Sequence, residues 1–499
     1  MPRSPILYLF LFLSFAAWSP LGCAHPGEEE GAGSAKGDRA DAHTGAEAGD
    51  SAALAGGAAG MLDNPPMGPF GYSMIASEDG APLDVEDFAS YEDCEECHER
   101  QWEELEGSMH VIAHTDPIYR STAELALLEA GEEIYAYCSG CHAPQGVTTG
   151  LIPATPEGDL PEVVTAGILC DVCHQVSRLT GSSGPWGEPG NASLVLSPDE
   201  DRKFGPPVGD DEAADHEVET REFLSRSEFC ASCHTIIHPL NGLRLEHTYD
   251  EWKNSVYAEK GIQCQDCHMR SIEDAVKVAE TLTPVAVIGQ SEPTGDEREI
   301  RPHYMVGANA NAEELGGSPG YAAMAEARLK SAARLDIEAP PSVSSGSALE
   351  FEVVVHNVAA GHSLPTSLTE LREMWVELEV RAEDGQLLFH SGDLQPDGEI
   401  PDGAMRFGAI AGDAQGSVTY KPWEISQFLW KRLVPARGLE SDRFSVDLPD
   451  SFAGPVRIEA RLLYRSASPK ALRSLMGDEA FEPRQVEMAG AEAELVVRE

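Results

Sequence analysis

Ten of the eleven cysteines fall into one pattern repeated five times, Cys-x-x-Cys-His. The repeats are Cys94, Cys97 and His98; Cys138, Cys141 and His142; Cys170, Cys173 and His174; Cys230, Cys233 and His234; and Cys264, Cys267 and His268. Disulfides or zinc sites would also use paired cysteines, but neither needs a histidine directly after every second one. Histidine is about 3% of the chain, so five such coincidences by chance are rarer than about one in ten million. The pattern is that of c-type haem attachment. On one helical turn two thiols three residues apart each reach a vinyl group, and the adjacent imidazole turns onto the iron.

Five covalently bound haems, each a large rigid iron cofactor, would supply much of the core themselves. The motifs are separated by 44, 32, 60 and 34 residues. Short helices at the attachment turns, joined by irregular loops over porphyrin faces, are therefore expected. Close haem packing makes an electron wire the default reading.

Five irons with histidine on both faces need five more histidines. His110, in Ser108-Met109-His110-Val111, and His303, in Arg301-Pro302-His303-Tyr304, are the first candidates. His216, after the acidic run Asp210-Asp211-Glu212, and His362, in the turn Gly361-His362-Ser363-Leu364-Pro365, are the next. His238 lies four residues after the proximal His234 and could serve only another haem. His114 and His247 are reserves. Met109, Met269 or Met305 would raise a haem potential as a ligand, against the plainer reading of core methionine.

The N-terminus points to export. One Arg3 precedes an apolar run from Ile6 to Trp18, too short to span a bilayer and shaped like a signal-peptide core. Pro20-Leu21-Gly22-Cys23 resembles a bacterial lipoprotein signal in which Cys23 takes the lipid, with Pro20 where Leu is usual. Between Ala24 and Gly60, 21 of 37 residues are Gly or Ala and 7 are acidic, a composition that cannot bury enough apolar surface to order itself. The expected organisation is a signal peptide (1–22), a tether (23–60), a pentahaem domain (61–334) and a β domain (335–499).

The β expectation rests on a change of period. Pro319 to Ala333 reads as a helix. Thereafter Leu349, Phe351, Val353 and Val355, then Met374, Val376, Leu378 and Val380, then Ile458, Ala460, Leu462 and Tyr464, alternate with charged residues. Asp384-Gly385 marks a hairpin, and Phe444 to Leu448 a further short strand. About seven strands suggest an antiparallel, immunoglobulin-like sandwich. The fold class is thus mixed: a largely helical and irregular haem domain followed by a β-sandwich.

The segments Phe229-Cys230-Ala231-Ser232-Cys233-His234 and Thr248-Tyr249-Asp250-Glu251-Trp252, with Gly261-Ile262-Gln263-Cys264-Gln265-Asp266-Cys267-His268-Met269, resemble multihaem cytochromes c of the cytochrome c-554 family, related to hydroxylamine oxidoreductase. Cys94 to His98, Trp102 and Ser108-Met109-His110 resemble that family's first haem segment. The resemblance covers about residues 90 to 310. It implies a mostly helical haem domain, stacked haem pairs, mainly bis-histidine ligation, and His110 and His303 as distal ligands. Asn357 to Trp375 resembles a C-terminal module of some members, whose equivalent of His362 reaches a haem. The namesake has four haems and this chain five motifs, so its ligand pairing does not transfer. All five motifs end in His, which counts against a nitrite reductase with a lysine-ligated haem.

Charge narrows the partner. Eighty-five acidic against 35 basic residues give a net charge of −50, which excludes counterion-release binding to nucleic acid. A redox protein with a basic docking face is expected, bound less tightly as salt rises, with membrane contact only through the lipid. The acidic clusters at 199–201 and 210–212 lack calcium-loop spacing and read as solvated loops. Three functions stand: an electron relay at the cell envelope; an oxidoreductase acting on a small nitrogen or sulfur compound at a haem with an open face; and an assembly module that uses its β domain for contact.

Overall fold

A computed structural model describes residues 58–499 apart from 156, 181–186, 207–215, 291–294, 296, 451 and 499. The leader, Cys23 and nearly all of the tether lie outside the described residues.

The first half is built from short helices started by local capping. Ser90 accepts from the Asp93 amide, and the Asp93 side chain accepts from the Ser90 amide, a reciprocal box that opens α1 (Tyr91–Glu95). The chain then forms α2 (Glu99–Leu105). Asp116 accepts from the Ile118 amide at 2.8 Å and Pro117 takes the first turn of α3 (Pro117–Ala130). Gly131, at φ +92°, ends α3 and lets α4 (Glu132–His142) begin at once. The later attachment turns are α5 (Cys170–His174), α6 (Ser227–Ala231) and α7 (Gln265–His268). Between them run loops and two- to four-residue strands such as Ile236–Ile237 paired with Arg244–Glu246.

The helix α8 (Pro319–Ala332) is capped by Ser318, which accepts from the Tyr321 amide at 3.2 Å. It ends directly in β1 (Ala333–Glu338), with no connecting loop. There follow β2 (Ser342–Ser344), β3 (Ala348–Asn357), β4 (Glu373–Ala382), β5 (Leu387–Ser391), β6 (Arg406–Gly412), β7 (Gln427–Arg432), β8 (Leu439–Asp447) and β9 (Gly454–Arg465). Helix α9 (Pro469–Met476) precedes β10 (Val486–Arg498).

The strands form two sheets, β1-β3-β8 and β2-β10-β9-β4-β6-β7, with β5 on the free end of β4. The alternating residues named from the sequence face one shared core: Leu349, Phe351, Val353 and Val355 from one sheet meet Val376, Leu378, Ile458 and Leu462 from the other. Phe351 sits opposite Phe444 in register, their ring centroids 5.5 Å apart. Asp384 and Gly385 make the β4–β5 turn, with Gly385 at φ +84°.

Two features depart from a purely antiparallel sandwich with one wet face. β2 joins β10 in parallel, because it is an edge segment added after the chain has crossed between sheets. Trp375, on the face of β4 opposite the shared core, is fully buried with Ile400 and Leu463. The buried Arg465 guanidinium lies 5.3 Å from the Trp375 ring centre and pairs with Glu373.

The β region grips the haem-motif region at several points. Trp423, in the short 3-10 turn Pro422–Glu424, offers its carbonyl to His238 at 3.0 Å, and the Ile425 carbonyl accepts from Asn241 at 2.9 Å. Leu245 is buried with Ala411 and Ile425, and Ile118 of α3 packs against the Ala471 and Leu472 face of α9.

Candidate metal centre

Each motif closes a helical turn. The amides of His98, His234 and His268 donate to the carbonyls of Cys94, Cys230 and Cys264 at 2.9, 2.9 and 2.8 Å, while the second and third motifs end α4 and form α5. That turn sets two thiols and an imidazole on one side of the backbone. No disulfide joins the cysteines among the described residues.

The imidazoles are oriented by their second nitrogen. Nδ1 of His142 lies 2.6 Å from the Ala113 carbonyl, Nδ1 of His174 lies 2.8 Å from that of Phe204, and Nδ1 of His268 lies 2.8 Å from that of Val306. With the Nδ1 proton held there, Nε2 keeps its lone pair for a metal. His234 differs from these three: its Nδ1 faces the Glu246 carboxylate at 3.6 Å.

Across from four of the motif histidines stands a second imidazole. The ring centres are 6.4 Å apart for His98 and His216, 6.2 Å for His110 and His234, 6.4 Å for His174 and His303, and 6.3 Å for His268 and His362. Two iron–nitrogen bonds of about 2.0 Å, plus about 1.1 Å from nitrogen to ring centre on each side, give roughly 6.2 Å. Two imidazoles that shared one iron would stand at about this spacing, so the residues fit the haem that the motifs imply. The buried Nδ1 atoms of His110 and His303 have no hydrogen-bond partner in the structure, unlike Nδ1 of His142, His174 and His268.

Burial keeps most of these rings neutral, the form that binds metal. It pushes His110, His142 and His303 down to about 4, and His268 to about 3. At His234, whose side chain is 55% exposed, desolvation is outweighed by the Glu246 carboxylate together with the Cys233 and Cys264 thiols, which raise the ring to about 9.

Long-range packing places these second rings. Gly167, at φ +67°, lets the chain run against the His110 turn: a Cβ there would fall 2.6 Å from the Val111 carbonyl oxygen, and the Ile168 amide donates to the His110 carbonyl at 2.9 Å. His303 is anchored through its amide, which donates to Glu104 at 2.8 Å. His362 comes from the β region; the following Ser363 amide donates to Glu251 at 3.2 Å.

His142 has a different neighbour. Among the described residues no histidine ring faces it at the iron-bridging distance; Tyr119 of α3 instead stacks on it, centroids 3.8 Å apart and planes within 8°. His238 is not brought opposite any motif histidine. Its Nε2 meets the Trp423 carbonyl and its Nδ1 accepts from the Leu240 and Asn241 amides at 3.2 and 3.3 Å, so neither nitrogen is left for iron. Of the reserves, His114 is buried against Glu157, Nε2 to Oε1 3.1 Å, and His247 lies beside Phe428. Met109 packs in a small cluster, its sulfur accepting from Asn309 at 3.6 Å.

The attachment points are contiguous. The thiol of Cys94 lies within hydrogen-bond reach of that of Cys170, Cys230 of Cys264, and Cys233 of Cys141. Cys173 lies in the field of Cys233. The first motif thus abuts the third, the third approaches the fourth, and the fourth abuts both the second and the fifth. Sequence reading did not find Tyr119, Glu246, the carbonyls that hold Nδ1, or the pairing of rings. A Glu two residues after Arg244 and directly before His247 carries no motif that would mark it.

Residues 93–175 match the family model described as cytochrome c554 and c-prime. The chain is similar in fold to the penta-heme cytochrome c552 from Thermochromatium tepidum, with a TM-score of 0.57 and 18% identity over 83% of this chain and 100% of that one. A CARDB domain from Pyrococcus furiosus aligns with 33% of this chain and 87% of its own at 13% identity, with a TM-score of 0.17 that carries no weight. A search of the curated proteins finds no match.

Proposed function

We propose that the chain, whose residues 93–175 match the cytochrome c554 and c-prime model, is a multihaem c-type cytochrome that binds five covalent haems and relays electrons between redox proteins at the cell envelope. The observation that carries this reading is the set of four imidazole pairs at 6.2–6.4 Å, on attachment turns that touch in one continuous series. When bound, haem c supplies one-electron redox chemistry. The chain's own work is to tether each group through two thiols, to fix the imidazoles through the carbonyls of Ala113, Phe204 and Val306, and to exclude water with the β region.

Each site follows from that reading. His98 pairs with His216, His174 with His303, His234 with His110 and His268 with His362, while among the described residues no histidine stands opposite His142. This last feature favours, as a second reading, a redox enzyme whose small nitrogen or sulfur substrate binds at the His142 haem. We also read the two-sheet β region as an immunoglobulin-like cap that delivers His362. Export, lipid attachment at Cys23 and a basic partner complete the proposal, the last because the net charge of −50 repels any acidic surface.

Stopped-flow reduction of the holoprotein tests the relay. A single fast donor should reduce all five haems in a connected sequence, with a bimolecular rate that falls as ionic strength rises when the donor is basic. A fraction of haem that stays oxidised behind the others would break the wire. Turnover of nitrite or hydroxylamine that is lost when a ligand occupies the His142 haem would move the assignment to the enzyme.

A further inference from the structure

The four motif histidines whose Nδ1 contacts are given above do not have equal surroundings. His142, His174 and His268 present Nδ1 to neutral backbone carbonyls, whereas His234 presents it to the carboxylate of Glu246 at 3.6 Å. That is ion-pair distance rather than a short hydrogen bond; the Glu246 carboxylate is buried, at 3% exposed, while the His234 side chain that it faces is 55% exposed in this structure. The carboxylate is also held in place. It belongs to the short strand Arg244–Glu246, and its Oε1 lies 3.3 Å from the Thr248 hydroxyl, which in turn lies 2.9 Å from the hydroxyl of Thr366 in the β region.

We infer that Glu246 is a positioning residue for the His234 imidazole, and that its negative charge lowers the reduction potential of the haem that His234 and His110 hold. The inference rests on the bis-histidine reading of that pair. An anion beside the far nitrogen of an axial imidazole increases the ring's donor strength and stabilises the more positive, oxidised iron. Neutral carbonyls do this more weakly. The position gives the difference a consequence. The fourth motif abuts the second and the fifth and lies near the third, so a lowered potential there places an uphill step at the junction of the relay.

Potentiometric titration of the holoprotein, followed by electron paramagnetic resonance, tests this. The His110→Met variant identifies which low-spin signal and which reduction step belong to the His110–His234 haem. If His110→Met alters no low-spin signal, the bis-histidine reading itself fails, independently of Glu246. In Glu246→Gln that one haem should favour the reduced state about tenfold more than in the wild type, about 59 mV for one electron, with the other four steps unmoved. Glu246→Asp should restore most of the shift. Should Glu246→Gln not accumulate as holoprotein, Thr248→Val, which loosens the carboxylate without removing it, should shift the same step in the same direction by a smaller amount. An unmoved His110–His234 step, or an equal drift of all five steps in a folded protein, overturns the inference and leaves Glu246 a structural link to the β region.

Discussion

The haem-motif region and the β region reach their folded state by different means. From residue 333 onward two sheets enclose one continuous core, with Val353, Val380, Ile458 and Leu462 fully buried within it. Before it, the apolar side chains gather in separate small clusters, one around Ile75, Val164 and Leu196, another around Val306 and Tyr321, a third around Tyr257 and Val278. The difference teaches where the organising groups reside. In the β region they are side chains, arranged by a two-residue period. In the first region the apolar clusters are small and separate, and on the proposed reading the attachment turns and paired imidazoles, with the haems they would hold, do the organising.

The largest test of this contrast removes the cofactors. Produced without haem attachment, the chain should lose protease protection throughout residues 61–334 while the β core remains a resistant fragment, read by limited proteolysis and mass spectrometry. Protection of both regions alike would erase the distinction. A cavity in the β core should act in the opposite sense. Leu462→Ala should lower stability by about 2–5 kcal/mol in denaturant titration, with the haem absorption spectrum unchanged in the folded baseline.

What the sequence made legible follows the same division. Cys-x-x-Cys-His is a local signal, completed within one helical turn, and the alternation in β3, β4 and β9 is equally local, so both could be read directly. The ring pairs could not, because they join residues as far apart as His174 and His303, or His110 and His234, through packing with no period. His216, His303, His110 and His362 were nominated by the demand for ligands, but nothing in sequence said which motif each would face. His238 shows the limit of that demand: nearness to His234 along the chain said nothing of the amides and the Trp423 carbonyl that occupy its nitrogens. Trp375 was hidden for a related reason, since it lies on the face of β4 opposite the alternating residues and is covered by the distant 394–405 segment.

The boundary between the regions gives a pH test. Glu370 is 5% exposed and its Oε2 has no hydrogen-bond partner, and burial raises its carboxyl from 4.5 to about 7, against the pull of Lys431 and Arg372. The folded state therefore binds this proton more tightly than the unfolded chain. Its contribution to stability is greatest below about pH 4.5 and is lost as pH rises toward 7. Glu370→Gln should match the wild type near pH 5 and exceed it at pH 8 by up to roughly 3 kcal/mol, measured by denaturant titration at both values. An equal difference at the two pH values would show that the carboxyl does not titrate in this range.

The smallest effect should come from the partly exposed contact between the regions. Lys421 pairs with Glu129 at 2.7 Å, the side chains 24% and 35% exposed. Lys421→Ala should change stability by less than about 1 kcal/mol and leave every haem signal in place, so a larger loss would mean that surface charge, rather than shared burial, joins the regions.

The most direct measurement is a spin count on the oxidised holoprotein. Four imidazole pairs at iron-bridging distance, with His142 facing no histidine among the described residues, predict four low-spin haems and one high-spin haem in quantitative electron paramagnetic resonance, and conversion of one low-spin haem to high spin in His362→Ala. Five low-spin haems in the native protein, fewer than four, or a His362→Ala spectrum identical to the wild type would contradict the assignment.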